Sequence, residues 1–439
     1  MAGMTYSSVP PSAARLTESL RDVGYDFPTA VADIVDNSIA AGARTVEIQI
    51  EFDGEDSWVS IADDGKGMTP ATALEALRFG SRREYGPGDL GRYGLGLKTA
   101  SLSQCRKVTI VTCRTGSEKA IARTLDLDVV ADYDDWMILT PPADPLVTKA
   151  KDMIRGSGGT VVLWQNLDRV LPEKRPEGGW ARRRLKALAT KTAEHLGIVF
   201  HRFLEGTLGD GLTITVNDEK VRPWNPFAPD EEHQTELPAQ RFEITLGENS
   251  GTVWLRRYVL PPREKFSSPA EFERMSGPLN WNRQQGIYVY RAGRLVQWGG
   301  WFGIRGIDEH TKLARAALEF DSDLDLLFNI NVAKMRVSMP PQLRQLLEKP
   351  INELCMAADE AYRRNGRKEA RAPQRPQAEQ LELPLQARRA AAEDGAGPTA
   401  GLALRAAAMQ AGEYAAWRRI VKQLQAQAPD IAKALGLED

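Results

Sequence analysis

Two stretches decide the fold: Thr29-Ala30-Val31-Ala32-Asp33-Ile34-Val35-Asp36-Asn37-Ser38-Ile39-Ala40-Ala41-Gly42-Ala43, and further on Trp58-Val59-Ser60-Ile61-Ala62-Asp63-Asp64-Gly65-Lys66-Gly67-Met68. In the first, Pro28 pre-sets the φ of an opening helical turn and Gly42 supplies a C-terminal stop. Val31, Ile34, Val35 and Ile39 recur at helical spacing and predict a buried stripe. Asp33 and Asn37 stand four residues apart, on one face and away from that stripe. The second stretch is a short strand running directly into D-x-G-x-G.

A carboxylate one helical turn from an amide oxygen suits hard-cation chemistry. Asn37 would ligate Mg²⁺, and Asp33 would orient or deprotonate a water. Taken alone, the pair also reads as a solvated helix face. At the strand end, Asp63 is placed to accept a hydrogen bond from an exocyclic amine. Gly65 and Gly67 would let the backbone approach a planar ligand, and Met68 would pack on a ring face. An ordinary Asp/Gly turn gives the same residues.

A third cluster opens with Phe79-Gly80-Ser81-Arg82-Arg83 and closes with Gly91-Arg92-Tyr93-Gly94-Leu95-Gly96-Leu97-Lys98-Thr99-Ala100-Ser101. Its glycines allow successive N–H groups to converge, a helix is expected after Gly96, and Lys98 adds a point charge. The spacing is not that of a Walker A loop, nor of the dinucleotide fingerprint.

The three clusters in this order resemble the GHKL superfamily with its Bergerat ATP fold, over roughly residues 10 to 170. "DIVDNSIAAGA" resembles its Mg²⁺ helix, "DDGKGM" its adenine turn and "GRYGLGLKTAS" its phosphate lid. The resemblance implies ATP and Mg²⁺ as ligands. Gly91, Tyr93, Gly94, Leu95, Gly96, Leu97 and Lys98 would then lie around the phosphates. Gly159-Thr160-Val161-Val162-Leu163 resembles the later strand of the family, whose threonine, here Thr160, helps hold the adenine-binding aspartate. One departure stands out: the superfamily usually has glutamate where this chain has Asp33. The shorter acid would hold its water about 1 Å deeper, which admits slow hydrolysis or ATP used only as a switch. Asp36 is a second carboxylate on the helix that could compensate.

Further along, Phe328-Asn329-Ile330-Asn331-Val332-Ala333-Lys334-Met335-Arg336-Val337 resembles the end of the transducer domain in MutL- and MORC-like proteins. Lys334 matches the lysine that reaches toward the terminal phosphate, although a surface lysine after a strand reads the same way. Gly286 to Val296 is read as a hairpin of that domain, and Trp298-Gly299-Gly300-Trp301-Phe302 as core or a docking surface. Of the branches, histidine kinases lack support because no phospho-acceptor helix carries His195, His201, His233 or His310. A gyrase or a heat-shock chaperone would need a longer chain. The lid and the "VDN" helix resemble MORC-like ATPases most, which implies an ATP-dependent homodimer and a DNA-directed complex.

The expected fold class is therefore α/β: a Bergerat-type sandwich at 1–175 and a ribosomal-protein-like transducer domain at 176–345. A connecting helix at 346–365, a flexible linker at 366–400 and a helical tail at 401–439 follow. Strands are expected at Thr45–Phe52, Trp58–Ala62, Lys107–Arg114, Gly158–Leu163, Leu212–Val216, Gln240–Leu246, Thr252–Val259, Gly286–Arg291 and Leu326–Val332. A long helix is expected at Trp180–Leu204. The tail would present Met409, Tyr414, Trp417, Ile420, Val421 and Leu424 on one side for docking or self-association.

The 439 residues carry a net charge of −2, with 42% hydrophobic and 26% charged residues. That balance is ordinary for a globular chain and argues against a uniformly basic surface. Local basic runs exist at Arg182, Arg183, Arg184 and Lys186, and at Arg363, Arg364, Arg367, Lys368, Arg371 and Arg375. They would suit DNA phosphates or simply be solvated. No apolar run is long enough to span a bilayer and no secretion signal opens the chain. The three scattered cysteines form no disulfide or zinc pattern, so a cytoplasmic setting is expected. A non-hydrolysing nucleotide-gated scaffold and a chaperone-like interaction module are the alternatives to an ATPase.

Overall fold

The computed structural model describes residues 9–22, 24–80, 94–117, 119–154, 157–172, 178–209, 211–246, 249–325, 327–330, 337–369, 414–435 and 437. The chain divides into two compact units, Met1–Asn365 and Gly366–Asp439.

The larger unit begins with α1 (Ala13–Arg21), α2 (Phe27–Ala40), β1 (Thr45–Glu51), β2 (Trp58–Asp63), α3 (Pro70–Leu77) and α4 (Gly96–Leu102). Then come β3 (Lys107–Cys113), β4 (Ile121–Asp126), α5 (Leu127–Tyr133), α6 (Pro145–Ile154), β5 (Gly159–Gln165), α7 (Gly179–Val199), α8 (His201–Leu204), β6 (Thr213–Val216) and β7 (Glu219–Lys220). These strands form one seven-stranded sheet in the order β4-β3-β5-β2-β1-β6-β7. β1–β2 and β3–β4 are antiparallel hairpins, β4 being a strand the sequence pattern did not indicate, while β6 runs parallel to β1.

β3 and β5 lie between two apolar layers. Val108, Ile110, Val162 and Trp164 join the core shared with α2 and α7, and Val111, Cys113, Val161 and Leu163 pack with Val147, Ala150 and Ile154 of α6. Burial on both faces is why β5 reads as an apolar run after Thr160 and β3 as a β-branched one, with no alternation of apolar and charged residues. The sheet does not end at the expected boundary near residue 175. β6 hydrogen-bonds beside β1, and Leu185, Leu196 and Val199 of α7 belong to the first core. The Trp180–Leu204 helix is broken at Phe200, whose φ of −108° and ψ of 17° leave the helical region.

The second sheet contains β8 (Thr235–Leu246), β9 (Asn249–Val259), β10 (Gly286–Arg291), β11 (Arg294–Gln297) and β12 (Ala314–Phe320), in the order β11-β10-β12-β9-β8. Between β9 and β10 lie α9 (Pro269–Met275) and α10 (Trp281–Gln284). The β10–β11 hairpin matches the expectation, whereas β12, at the centre of the sheet and parallel to β10, was not anticipated. No strand occupies the described part of 326–332. Residues 327–329 form a turn, Asn329 takes φ +44°, and Phe328 instead stacks on Phe320 at 3.8 Å. α11 (Pro341–Glu369) closes this core with Leu343, Leu347, Ile351, Leu354 and Ala358, and it continues four residues into the expected linker. Trp301 is core, and Trp298 is half-buried between the two cores.

In the smaller unit, α12 (Tyr414–Gln427) and α13 (Pro429–Ala434) pack through Val421, Ala432 and Leu437, with Trp417 and Leu424 beside them. Ile420 is 64% exposed and so leaves the predicted stripe. Met409 and residues 370–413, which hold most of the expected linker, lie outside the described residues. No described helix is long and apolar enough to cross a membrane.

Candidate nucleotide site

α2 starts on Asp26, whose carboxylate accepts the Thr29 N–H at 2.9 Å, satisfying one of the orphan donors of the first turn. Its apolar stripe is buried as expected. Asp33 and Asp36 are buried too, at 2% and 1% exposure, so the acid does not sit on a solvated face. The reason is that α4 covers one flank of α2 and Arg294 of β11 reaches in from the second sheet. Only Asn37 of this group is exposed. Its Nδ2 donates to the Asp33 carbonyl at 2.9 Å, which leaves Oδ1 a hard acceptor with no hydrogen-bond partner among the described residues.

The Asp33 carboxylate is held on both sides. Oδ2 accepts the Tyr25 hydroxyl at 2.6 Å, and Oδ1 lies 3.9 Å from Arg294 Nη2. Burial and the adjacent Asp33 push the Tyr25 phenol well above its ordinary value, so it stays a donor. A Cβ on Gly96 would stand 3.3 Å from Asp33 Oδ2, so the glycine lets the start of α4 close onto the acid. Asp36 is committed to Arg294 Nε at 2.8 Å, which argues against its standing in for Asp33.

At the end of β2, Asp63 Oδ1 accepts the Gly65 N–H and Oδ2 accepts the Ser38 hydroxyl, each at 3.0 Å. Burial raises the Asp63 carboxyl above its ordinary value, against the opposing hydrogen bonds from Gly65, Ser38 and the Thr160 main chain. Thr160 is the register partner of Asp63, and its hydroxyl meets Thr112 at 3.0 Å. Thr112 Oγ1 also accepts the Met68 N–H at 2.9 Å and donates to the Gly159 carbonyl at 3.1 Å. Met68 is partly buried against the first core.

The two glycines of the turn have protein partners. A Cβ on Gly67, at φ +61°, would stand 1.9 Å from the Cys113 carbonyl oxygen, and one on Gly65 would stand 2.8 Å from Ala41 Cβ. Asp64 is structural: Oδ1 takes the N–H groups of Arg44 and Thr45.

Lys98 does not extend outward. It is 2% exposed, and its Nζ donates to the carbonyls of Ala76, at 2.9 Å, and Gly94. Burial lowers the ammonium to about 8. Leu97 packs partly into the core, and Gly94 at φ +61° turns the chain into α4, with Leu95 as its N-cap residue. Gly91, Tyr93 and Lys334 lie outside the described residues. The structure thus gathers Asp33, Asn37, Asp63, Gly65, Gly67, Met68, Gly96 and Thr160 around one end of the sheet. It adds Tyr25, Ser38, Thr112 and Arg294, which sequence reading missed. A serine beside Asn37 and a threonine within "KVTIVTC" carry no distinguishing signal, and the Arg294 contact spans 258 positions.

Among the described residues no cluster of three or more His, Cys, Asp or Glu side chains could hold a metal ion.

Residues 25–160 match the family described as histidine kinase-, DNA gyrase B- and HSP90-like ATPase. The chain is similar to ATPase morc-1 of Caenorhabditis elegans, 26% identical over an alignment covering 32% of this chain and 20% of that protein. It is also similar to the DNA mismatch repair protein MutL of Dictyoglomus turgidum, 27% identical over 38% of this chain and 25% of that protein. The chain thus aligns with a quarter or less of each relative's length.

Proposed function

We propose that this chain binds Mg·ATP at the end of the first sheet and hydrolyses it slowly, using the cycle to control association. The observation that carries the reading is the half-buried Asp63 carboxylate, held by Ser38, Gly65 and Thr160, with the exposed Asn37 one residue before Ser38 on α2. Asp63 would accept the exocyclic amine of adenine. Asn37 Oδ1 would be the protein's ligand to Mg²⁺, whose remaining ligands would be phosphate oxygens and water. The ion, when bound, offsets phosphate charge. Asp33 would orient the attacking water and take its proton as Tyr25 holds the carboxylate in place.

In this reading the lid over residues 80 to 97 closes over the phosphates, and Lys98 leaves its two carbonyls to join them. Lys334 would report the terminal phosphate to the second sheet, and closure would drive a homodimer directed to DNA or to a protein complex. The basic residues of α7 support the DNA part: Arg182, Arg183, Arg184 and Lys186 are exposed. Two of them already have structural contacts, Arg184 to the Val170 carbonyl and Arg182 over Phe52.

Single-turnover hydrolysis by wild type and Asp33→Ala tests the chemistry: a measurable rate that the substitution removes supports an ATPase. One observation favours the second reading, a nucleotide-gated scaffold. Asp33 is short, and one of its oxygens is already engaged by Tyr25 at 2.6 Å. Solution mass with and without a non-hydrolysable ATP analogue separates the outcomes. A dimer that forms with the analogue while ATP is not turned over would establish the scaffold.

A further inference from the structure

Arg294 opens β11, yet its guanidinium lies in the first domain's site. It is buried, with Nε donating to Asp36 Oδ1 at 2.8 Å, Nη2 at 3.9 Å from Asp33 Oδ1, and Cζ 5.7 Å from the centroid of Phe200. Phe200 occupies the break between α7 and α8, so the cation lies close to both the helix that carries Asp33 and the break that leads toward the second sheet. A buried ion pair is a weak net source of stability but expensive to break. Such a pair fixes geometry better than it stabilises a fold.

The two oxygens of Asp33 have different neighbours: the Tyr25 hydroxyl fixes Oδ2, and Arg294 faces Oδ1. Tyr25 moves with α2, since only Asp26 separates it from the start of that helix. Arg294 moves with the β10–β11 hairpin. Any shift of that hairpin against α2 alters the position and the field at Oδ1 without touching a nucleotide.

We infer that Arg294 is a positioning residue of the nucleotide site, coupling the hairpin of the second sheet to Asp33 through Asp36. The inference rests on the proposed Mg·ATP reading. It makes a contact distinct from Lys334: the lysine would sense phosphate, whereas Arg294 sets the acid.

The test uses the full chain with Arg294→Lys and, should the single variant unfold, with the pair Arg294→Met/Asp36→Asn, which removes the ion pair without changing net charge and leaves Asp33 its hydrogen bond from Tyr25. Calorimetric ATP affinity is expected to stay within about threefold of wild type. The single-turnover rate is expected to fall about 10- to 100-fold, the scale of a misplaced catalytic group. Amide exchange supplies a readout independent of turnover. ATP should slow exchange in both α2 and the β10–β11 hairpin of wild type, but only in α2 of the variants. Wild-type rates and hairpin protection in the neutral pair would overturn the inference, as would a loss of affinity equal to the loss of rate. A wild-type chain that binds no ATP would instead overturn the underlying reading, so the two failures are distinguishable.

Discussion

Replacing Gly67 with alanine tests what the glycines of the D-x-G-x-G turn are for. Gly67 sits at φ +61°, and an added Cβ would stand 1.9 Å from the Cys113 carbonyl oxygen and 2.6 Å from its carbon. The left-handed backbone alone costs about 1–2 kcal/mol once a Cβ is present. The overlap is with main chain at the end of β3, which cannot rotate away, and forced overpacking adds about 1–3 kcal/mol. Gly67→Ala is therefore expected to lose about 2–5 kcal/mol. Gly42 is the internal control: its φ is +76° and nothing lies within 4 Å of its would-be Cβ, so Gly42→Ala should lose only the conformational share. Urea unfolding followed by fluorescence of the buried Trp164, which lies in the same sheet, would compare the two. Equal losses would refute the claim that Gly67 is required by its packing on Cys113. The turn would then have room to relax, and close approach of a ligand would remain the better reason for the glycine.

Asp63→Asn should abolish ATP binding yet stabilise the unliganded chain near neutral pH. Burial raises the folded-state value of Asp63 above 3.8, so wild type loses stability relative to the variant as pH rises from 3.8 through that raised value. Denaturation midpoints of the two proteins should diverge across that interval; parallel profiles would count against it. Lys98 carries the opposite sign. Its folded value of about 8 lies below the ordinary 10.5, so the unfolded chain holds the extra proton between them. Wild-type stability should rise relative to Lys98→Met from pH 8 to 10.5, and a flat difference would place the ammonium elsewhere.

The first sheet was legible because its elements announce themselves locally. Pro28 and Gly42 bracket α2, the β-branched run of β3 can form little else, and "DDGKGM" marks a strand end. What was not legible depended on distant partners. β12 is Ala-Arg-Ala-Ala-Leu-Glu-Phe, whose propensities favour a helix. It is a strand because β9 and β10 flank it on both sides and bury it. β6 was assigned to the second domain by sequence order, yet it pairs with β1. At the site, Asp33 and Asp63 were singled out by the order of three clusters and the resemblance they carry, since the spacing of each alone fits a solvated helix face or an ordinary turn. The burial of Asp33 was not, because the residues that cover it come from α4 and from Arg294. Lys98 followed the pattern of a phosphate ligand, but its ammonium donates to the carbonyls of Ala76 and Gly94, an arrangement that depends on the turn before α4 and the end of α3 and leaves no local signal.

The central claim is that Asn37 and Asp63 define one Mg·ATP site. Isothermal titration of the full chain with ATP, in the presence and absence of Mg²⁺, for wild type and Asn37→Ala tests it most directly. The account predicts saturable binding at one site per chain that strengthens with Mg²⁺ in wild type, and loss of Mg·ATP binding in Asn37→Ala. Unchanged Mg·ATP affinity in the variant, or no binding by wild type, would contradict it.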